Sequence, residues 1–575
     1  MATSGFGRGL AIVLATALLS IPSVATGATH VGLLDPTFGV NGRVRTDLST
    51  IAFTEDSVDG VAVQPDGKIL AAGYRNSSSD QWMALARYAT DGTLDPTFGG
   101  DGVVLTHFAS GAGGSAVALQ PNSKIVVVGW TFIRHLAVFS FAVARYNEDG
   151  TLDDTFSEDG RVRTAIGDED SEALGVALQD DGNIVVVGEA TEAGTRVFAV
   201  ARYTTGGSLD GSFGAGGTTT TSFGISEAWA RDVAVQPDGD IIAVGVAGAQ
   251  NSWDLALARY GTEGTLDATF GTGGIMRTSF GEAQAQARAV ALRPDGRIIV
   301  GGTDGSGGFA IVRYESDGSI DPTFAGDGTR SVSFSVGYAG IGVSDVLLGP
   351  EGTIVAVGSA GPSSNLVFAV ARLEADGSLD QRFSGDGKVT TSFGAGDAWA
   401  NSAAFGPDGS IVVGGSSPTS HRLDASDFAL ARYVVPASRP DAQLRSRWGE
   451  IVGDDIYNGS GRHQTLGDWR RSRTTLTIRI ENDGSSADTY TVLGEGSTQR
   501  FAVRYRMDGT YVTRRAVGGT LTIGPIEAGA VTSLKIEIRA RSSASPGTSF
   551  GRHVWISSTL DDRMVDAVRA VLHLV

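Results

Sequence analysis

Five tryptophans, Trp82, Trp130, Trp229, Trp253 and Trp399, share the stretch before residue 436 with carboxylates at Asp56, Asp168, Glu227 and Asp397. Indole rings stack on the faces of sugars and peptides, and carboxylates accept hydrogen bonds from their hydroxyls and amides. The combination suits a binding surface for a glycan or a protein, with Glu227 and Asp397 beside the aromatic rings in sequence. The same rings also suit plugs between packed sheets. Both readings stand on the residues alone.

Catalytic patterns are thin. The chain has no cysteine, so thiolate metal sites, disulfides and cysteine nucleophiles are all excluded. Seven histidines occur, none in the H-E-x-x-H spacing of a zinc protease. "DDTFSEDG" and "GDEDSE" are acidic but do not fit a calcium loop, so calcium enters only as an ion at turns or in a channel. No cofactor is implied. Paired carboxylates for glycoside hydrolysis stay open, since acidic side chains abound, but no residue is singled out as catalytic.

A second chemistry is regular. An Arg precedes an Asp by eight residues in Arg87/Asp95, Arg145/Asp153, Arg202/Asp210, Arg259/Asp267, Arg313/Asp321 and Arg372/Asp380. If a tight turn ending in Gly lies between them, the two face each other across a hairpin and can form a charge-assisted pair. Alternatively the Asp caps its own turn. Arg432 has no Asp after it at this spacing, and Asp35 has no Arg before it, which makes Arg432 and Asp35 expected partners.

These pairs sit in a repeat. "LDPTF" at 34–38 and 94–98 returns as "LDDTF", "LDGSF", "LDATF", "IDPTF" and "LDQRF". Turns such as "QPDGKI" and the tripeptide "ARY" recur with it, every landmark seven times at spacings of 54 to 60 residues. One copy reads as four strands: "AVALQ", "KIVVVG", "FAVARY" and "TLDDTF…GRVRT". Pro-Asp-Gly sets the first turn and Asp-Gly the last. Four antiparallel strands in seven copies predict a seven-bladed β-propeller, in an all-β chain. The chain enters the pattern in a fourth strand and leaves it after a third, at Tyr433. The N-terminal strand, about residues 33–48, is therefore expected to complete the last blade and close the ring. The a–b and c–d turns are short and uniform. The d–a and b–c loops vary, and variable loops on a rigid scaffold commonly carry binding.

"GTLDDTF", "GVAVQPDG" at 60–67 and "FAVARYNEDG" resemble the delta-60 repeat family of bacterial exported proteins, and more loosely the NHL-type propellers. The resemblance covers roughly residues 31–435. It implies a propeller and brings no ligand or catalytic residue with it. The copy with "QPNSKI" departs from the Pro-Asp-Gly turn.

Charge marks a boundary. From Pro436 onward there are 19 Lys+Arg against 15 Asp+Glu, which leaves 26 against 49 for the rest. The acidic body argues against nucleic acid as a partner. Beyond a linker at 436–445, residues 446–575 alternate and turn like a β-sandwich. "NDGSSAD" and "AGAVTSLKIEI" resemble Ig-like domains of bacterial secreted proteins. The Arg-rich character of this piece is read as a solvated face, with an acidic wall polymer as the other option. Residues 1–28, with one Arg and an apolar run before small residues, read as a secretory signal peptide, the rival being an N-terminal anchor. No later run reaches the length of a membrane span. The expectation is an extracellular or cell-surface monomer: a propeller over 29–435 that binds a glycan or protein, or else a secreted carbohydrate-active enzyme.

Overall fold

The computed structural model describes residues 34–574, except 49–54, 78–79, 109, 226, 250–251, 281–283, 306, 335–341, 363–364, 382, 395, 420–421, 435–439, 446–450, 453–464, 471–472, 483–486, 528–529, 542–548 and 560–564. The signal-peptide reading of residues 1–28 lies outside the described residues.

The chain is all-β and of propeller type, built from repeated four-stranded antiparallel units. One unit comprises Ala112–Leu119, Ile125–Ile133, Val138–Tyr146 and Arg161–Thr164, paired in that order. Its second strand is apolar without interruption because both faces are covered. Ile125 and Val127 pack with Leu70, Ala72 and Phe98 of the preceding unit. Val126 and Val128 pack with Ile184, Val186 and Phe156 on the other side. Alternate side chains thus bind a sheet to both neighbours, and the core lies between units rather than within one.

The motif "LDDTF" is not strand, contrary to the sequence reading. Asp153 Oδ1 accepts from the backbone N–H and the hydroxyl of Thr155, at 3.2 and 2.7 Å. This side-chain turn bends the chain, and pairing resumes only at Arg161. One isolated bridge, Tyr146 to Leu152, precedes the bend. The first turn of each unit is as short as expected, with Gln64 N–H bonded to the Lys68 carbonyl at 2.8 Å. In the deviant copy Ser123 takes the left-handed position, φ 65°, that Gly67 holds elsewhere at φ 83°.

Every first strand carries a bulge. The register slips between Ala230 and Asp232, leaving Arg231 unpaired, and between Ala287 and Ala289, leaving Arg288 unpaired. The cause lies in the facing strand. A Cβ on Gly245 would collide with the Trp229 carbonyl oxygen, and one on Gly302 with that of Gln286. Glycine alone lets the bulged backbone approach so closely.

Two eight-stranded sheets each join two such units through one parallel bridge, Arg196 to Glu227 in one and Glu55 to Ser426 in the other. The strand Arg43–Thr46 pairs with Arg422–Tyr433, from Arg43 opposite Ala431 to Thr46 opposite Phe428. It occupies the position that a fourth strand holds in the other units.

The C-terminal part contains two further sheets. Arg473–Asn482, Val531–Ala540 and Phe501–Met507 lie in one; Val565–Leu574, Ser549–Ser558, Asp488–Gly494 and Leu521–Ile526 lie in the other. Leu476, Ile478, Tyr490, Val492, Leu534, Ile536 and Ile556 share one core. Residues 440–445, read from sequence as linker, form the strand Pro440–Arg445 paired with Arg473–Asn482. The pairing begins as soon as the alternating residues of "DAQLR" meet the edge of that sheet.

Candidate functional site

The repeated Arg and Asp build a clamp. Arg145 Nε donates to Asp153 Oδ2 at 2.7 Å, and its Nη2 to Thr155 Oγ1 at 3.3 Å. Its Nη1 donates to the Thr205 carbonyl of the next unit at 2.5 Å, and its guanidinium lies 4.5 Å from the Phe156 ring centre. Both members of the pair are buried. Burial alone would raise the Asp153 carboxyl, but hydrogen bonds from Thr155 and Lys124 and the charge of Arg145 outweigh it and hold it at about 2. The same geometry joins the chain's ends. Arg432 Nε donates to Asp35 Oδ2 at 2.9 Å, Nη2 to Thr37 Oγ1 at 3.3 Å, and Nη1 to the Thr90 carbonyl at 2.5 Å. The Asp also caps its own turn, so the two sequence readings of this residue coexist. These arginines are fully committed and offer nothing to a ligand.

The tryptophans lie on strands rather than on loops, near strand ends. Trp229 is buried, and Trp82, Trp130 and Trp253 are half-buried. Trp82 packs on His107 with ring centres 4.8 Å apart, and Trp130 on Phe139 at 5.5 Å. Trp229 meets Trp253 edge-on at 4.8 Å. Trp399, the first residue of its strand, is 40% exposed. Asp397 Oδ1 is engaged by the Leu366 N–H at 2.8 Å. Glu227 begins the strand that carries Trp229. Asp168 is exposed and accepts from the Ala193 N–H at 3.1 Å. Asp56 is fully buried, and burial pushes its carboxyl to about 7 against a hydrogen bond from the Leu48 N–H.

Of this set, Trp229 and Trp253 meet ring to ring, and they join residues that the sequence reading passed over. Arg196 and Arg231 lie 5.8 and 5.9 Å from the Trp229 ring centre. Glu189 pairs with Arg196 at 3.4 Å. Glu172 and Glu189 are direct cross-strand partners. Burial, then the charges of Glu189 and Asp170, push Glu172 to about 7. Chemically the group offers an aromatic wall, a guanidinium and two coupled carboxylates, one of them able to hold a proton near neutral pH.

Nothing in the sequence analysis singles out Arg231 or Arg288. A signal was present. The residue fourteen places before the second-strand Gly that faces the bulge (231 before 245, 288 before 302) is the bulged one. In other copies that position holds Asp59, Ser115, Leu174, Ser344 and Asn401.

At the opposite end of two neighbouring units, a groove of about 700 Å³ runs between turns carrying Asp180, Asp181, Asp238 and Glu263. Its one guanidinium, Arg202, is tied to Asp210 at 2.8 Å. Among the described residues no group of three His, Asp or Glu side chains is arranged to hold a metal ion, and no helix is long and apolar enough to cross a membrane.

Six segments, residues 64–98, 120–156, 179–213, 236–270, 293–324 and 350–383, match a family model described as "Domain of unknown function (DUF5122) beta-propeller". No curated protein matches the chain. Among solved structures the chain is similar to Drosophila Plexin A in complex with Semaphorin 1b, at 8% identity over 71% of this chain and 88% of that one, TM-score 0.33. It is also similar to the beta-propeller domain of the Trilobed protease from Pyrococcus furiosus, at 9% identity over 68% and 97%, TM-score 0.35. A third likeness is to a polysaccharide lyase of family PL25, an ulvan lyase, at 12% identity over 67% and 94%, TM-score 0.32. At such identities and scores none of these carries an argument about activity.

Proposed function

We propose that the chain is an exported binding protein of the delta-60 type. In this reading seven blades form a ring closed by Arg43–Thr46, an Ig-like sandwich follows, and the d–a and b–c end of the ring takes an extracellular glycan or protein. Contacts between the first and last units support closure. Tyr88 donates to Thr46 at 2.8 Å, Val61 N–H to Ser402 Oγ at 3.1 Å, and Asn401 Nδ2 to Asp59 at 2.9 Å. The observation that carries the binding role is Trp399. It is an indole left 40% exposed at a strand start, in a body whose other large rings are mostly packed away. An indole joins an apolar face to a polar N–H, which suits a stacking contact with a sugar or peptide.

The test is a glycan and peptide array with the full chain and Trp399→Ala. A ligand retained by the parent and weakened at least roughly tenfold in the variant, without turnover, is the expected result. Equal binding by both would overturn the role of Trp399. A carbohydrate-active enzyme is the second reading, and the cross-strand pair Glu172 and Glu189 favours it, because burial raises both carboxyls and a carboxyl that holds a proton near neutral pH suits general acid chemistry. Turnover of a polysaccharide that is lost in Glu172→Gln would decide for that reading.

A further inference from the structure

The bulges at Arg231 and Arg288 do more than interrupt pairing. A bulge on an edge strand re-aims the side chain it frees. Both arginines occupy the same position in the first strands of consecutive units, and both are half-buried. Their Nε atoms are shielded from water, and neither has an acceptor among the described residues. Among the described residues, Arg288 donates from Nη2 to Gln286 Oε1 at 3.3 Å.

Neighbouring carboxylates compensate only in part. Asp232 is turned away to the N–H groups of Val233 and Val290, both at 2.8 Å. Asp345 is occupied by the Ala403 N–H at 2.7 Å and the Ser402 hydroxyl at 3.1 Å. Glu189 is shared with Arg196. Burial, then the charge of Arg231, push Arg288 down to about 10. Burial also lowers Arg231, with Glu189 in opposition. Two like charges, half withdrawn from water and short of acceptors among the described residues, are an arrangement that folding alone disfavours.

We propose that Arg231 and Arg288 form a binding site for one oxyanion group, a carboxylate or a sulfate, on a small extracellular ligand. A guanidinium presents its donors in a planar fork that matches such groups in two-pronged fashion. An anion between the two forks relieves their mutual repulsion and accepts from their Nη groups. The buried Trp229 ring lies 5.9 Å from the Arg231 guanidinium. The acidic body around the site repels polyanions, so the ligand carries few charges. This deepens the binding reading and rests on it, but uses residues separate from Trp399.

The test is titration calorimetry on the full chain at constant ionic strength, with sodium sulfate, sodium glucuronate and glucose. The parent is expected to bind at least one of the two anions and not glucose. Binding is expected to weaken at least tenfold in Arg231→Gln and Arg288→Gln, and less in the corresponding Lys variants, which keep the charge without the fork. Sulfate alone or glucuronate alone would identify the oxyanion. A parent that binds neither anion, or glutamine variants that bind as well as the parent, would overturn the site. The Lys variants keep the test decisive if a glutamine variant fails to fold. Melting without ligand is a second readout. Relief of the like charges should leave Arg231→Gln/Arg288→Gln at least as stable as the parent, whereas a marked loss of stability would mean a structural role and overturn the proposal. Trp399→Ala should leave anion binding unchanged. Absent anion binding beside intact Trp399-dependent ligand binding would overturn this inference alone.

Discussion

Arg432 Nε donates to Asp35 Oδ2 at 2.9 Å, joining residues 397 apart in sequence. The bond repeats, across the chain's two ends, what Arg145 and Asp153 do eight residues apart. A local pairing rule has become a long-range one, and the physical reason is that Arg43–Thr46 fills a vacant edge beside Arg422–Tyr433.

Asp35→Ala should therefore destabilise the protein as an internal break does. Removing one partner leaves the other charge buried and unbalanced, at a cost of about 3 kcal/mol. Urea unfolding of Asp35→Ala and Asp153→Ala should show comparable losses. A double-mutant cycle on Asp35 and Arg432 should give a coupling of about 1–3 kcal/mol. No coupling would mean that the two do not meet in solution.

Units are also tied by buried hydroxyls. Tyr260 donates to Thr221 Oγ1 at 2.8 Å, and Tyr203 to Thr164 Oγ1 at 2.8 Å. Thr221→Val keeps the shape but strands the Tyr260 hydroxyl, so a loss of about 1–3 kcal/mol is expected. Tyr260→Phe in the Thr221→Val background should recover part of it, because no polar atom is then left unpaired. Failure of that rescue in urea unfolding would contradict the assignment.

Stability should peak at mildly acid pH. Burial raises Asp56, Asp59 and Asp345 to about 7 and Asp232 to about 6. An acid whose folded pKa lies above its unfolded value of roughly 4 binds its proton more tightly when folded. Its contribution is fully present below about pH 4 and is lost as pH rises through 7. Asp153 and Asp321, held at about 2, act in the opposite sense: their contribution is present above about pH 4 and lost as pH falls through 2. Thermal unfolding should thus show a higher Tm at pH 5 than at pH 8. Asp56→Asn should narrow that difference by removing one carboxylate that must ionise while buried. A Tm that is flat or rises from pH 5 to 8 would be contrary to the account.

Gly302→Ala should be far more damaging than its size suggests. The added methyl meets the Gln286 carbonyl, and the bulge that frees Arg288 must open to admit it. A loss of about 3 kcal/mol or more is expected, at the upper end of overpacking. Gly409→Ala, where nothing lies near the new methyl but φ is 78°, should cost less, through backbone strain alone. Equal losses would show that the close approach at Gly302 is not what selects glycine.

The strands of the repeat were legible because their signals are local. The uninterrupted "IVVVG" reports a strand covered on both faces, and the turn before it reports its start. The Arg and Asp spacing was legible because eight residues span one hairpin. Whether a tryptophan stands on a strand end or just beyond it was not legible, because the two look the same in sequence. The bulge was missed for a different reason. It depends on a glycine fourteen residues later approaching backbone from the facing strand, and no single-strand periodicity contains that relation. Arg231 and Arg288, which the bulge frees, were missed with it.

The most direct test of closure uses the absence of cysteine. Val44 and Leu430 are register partners between Arg43–Thr46 and Arg422–Tyr433. Cysteines at both positions should lie within disulfide reach. With no other thiol in the chain, Val44→Cys/Leu430→Cys should oxidise to a monomeric, internally bridged species with altered non-reducing gel mobility, and reduction should lower its Tm. A double variant that keeps two free thiols after oxidation, or that bridges only between molecules, would mean that the N-terminal strand does not close the ring.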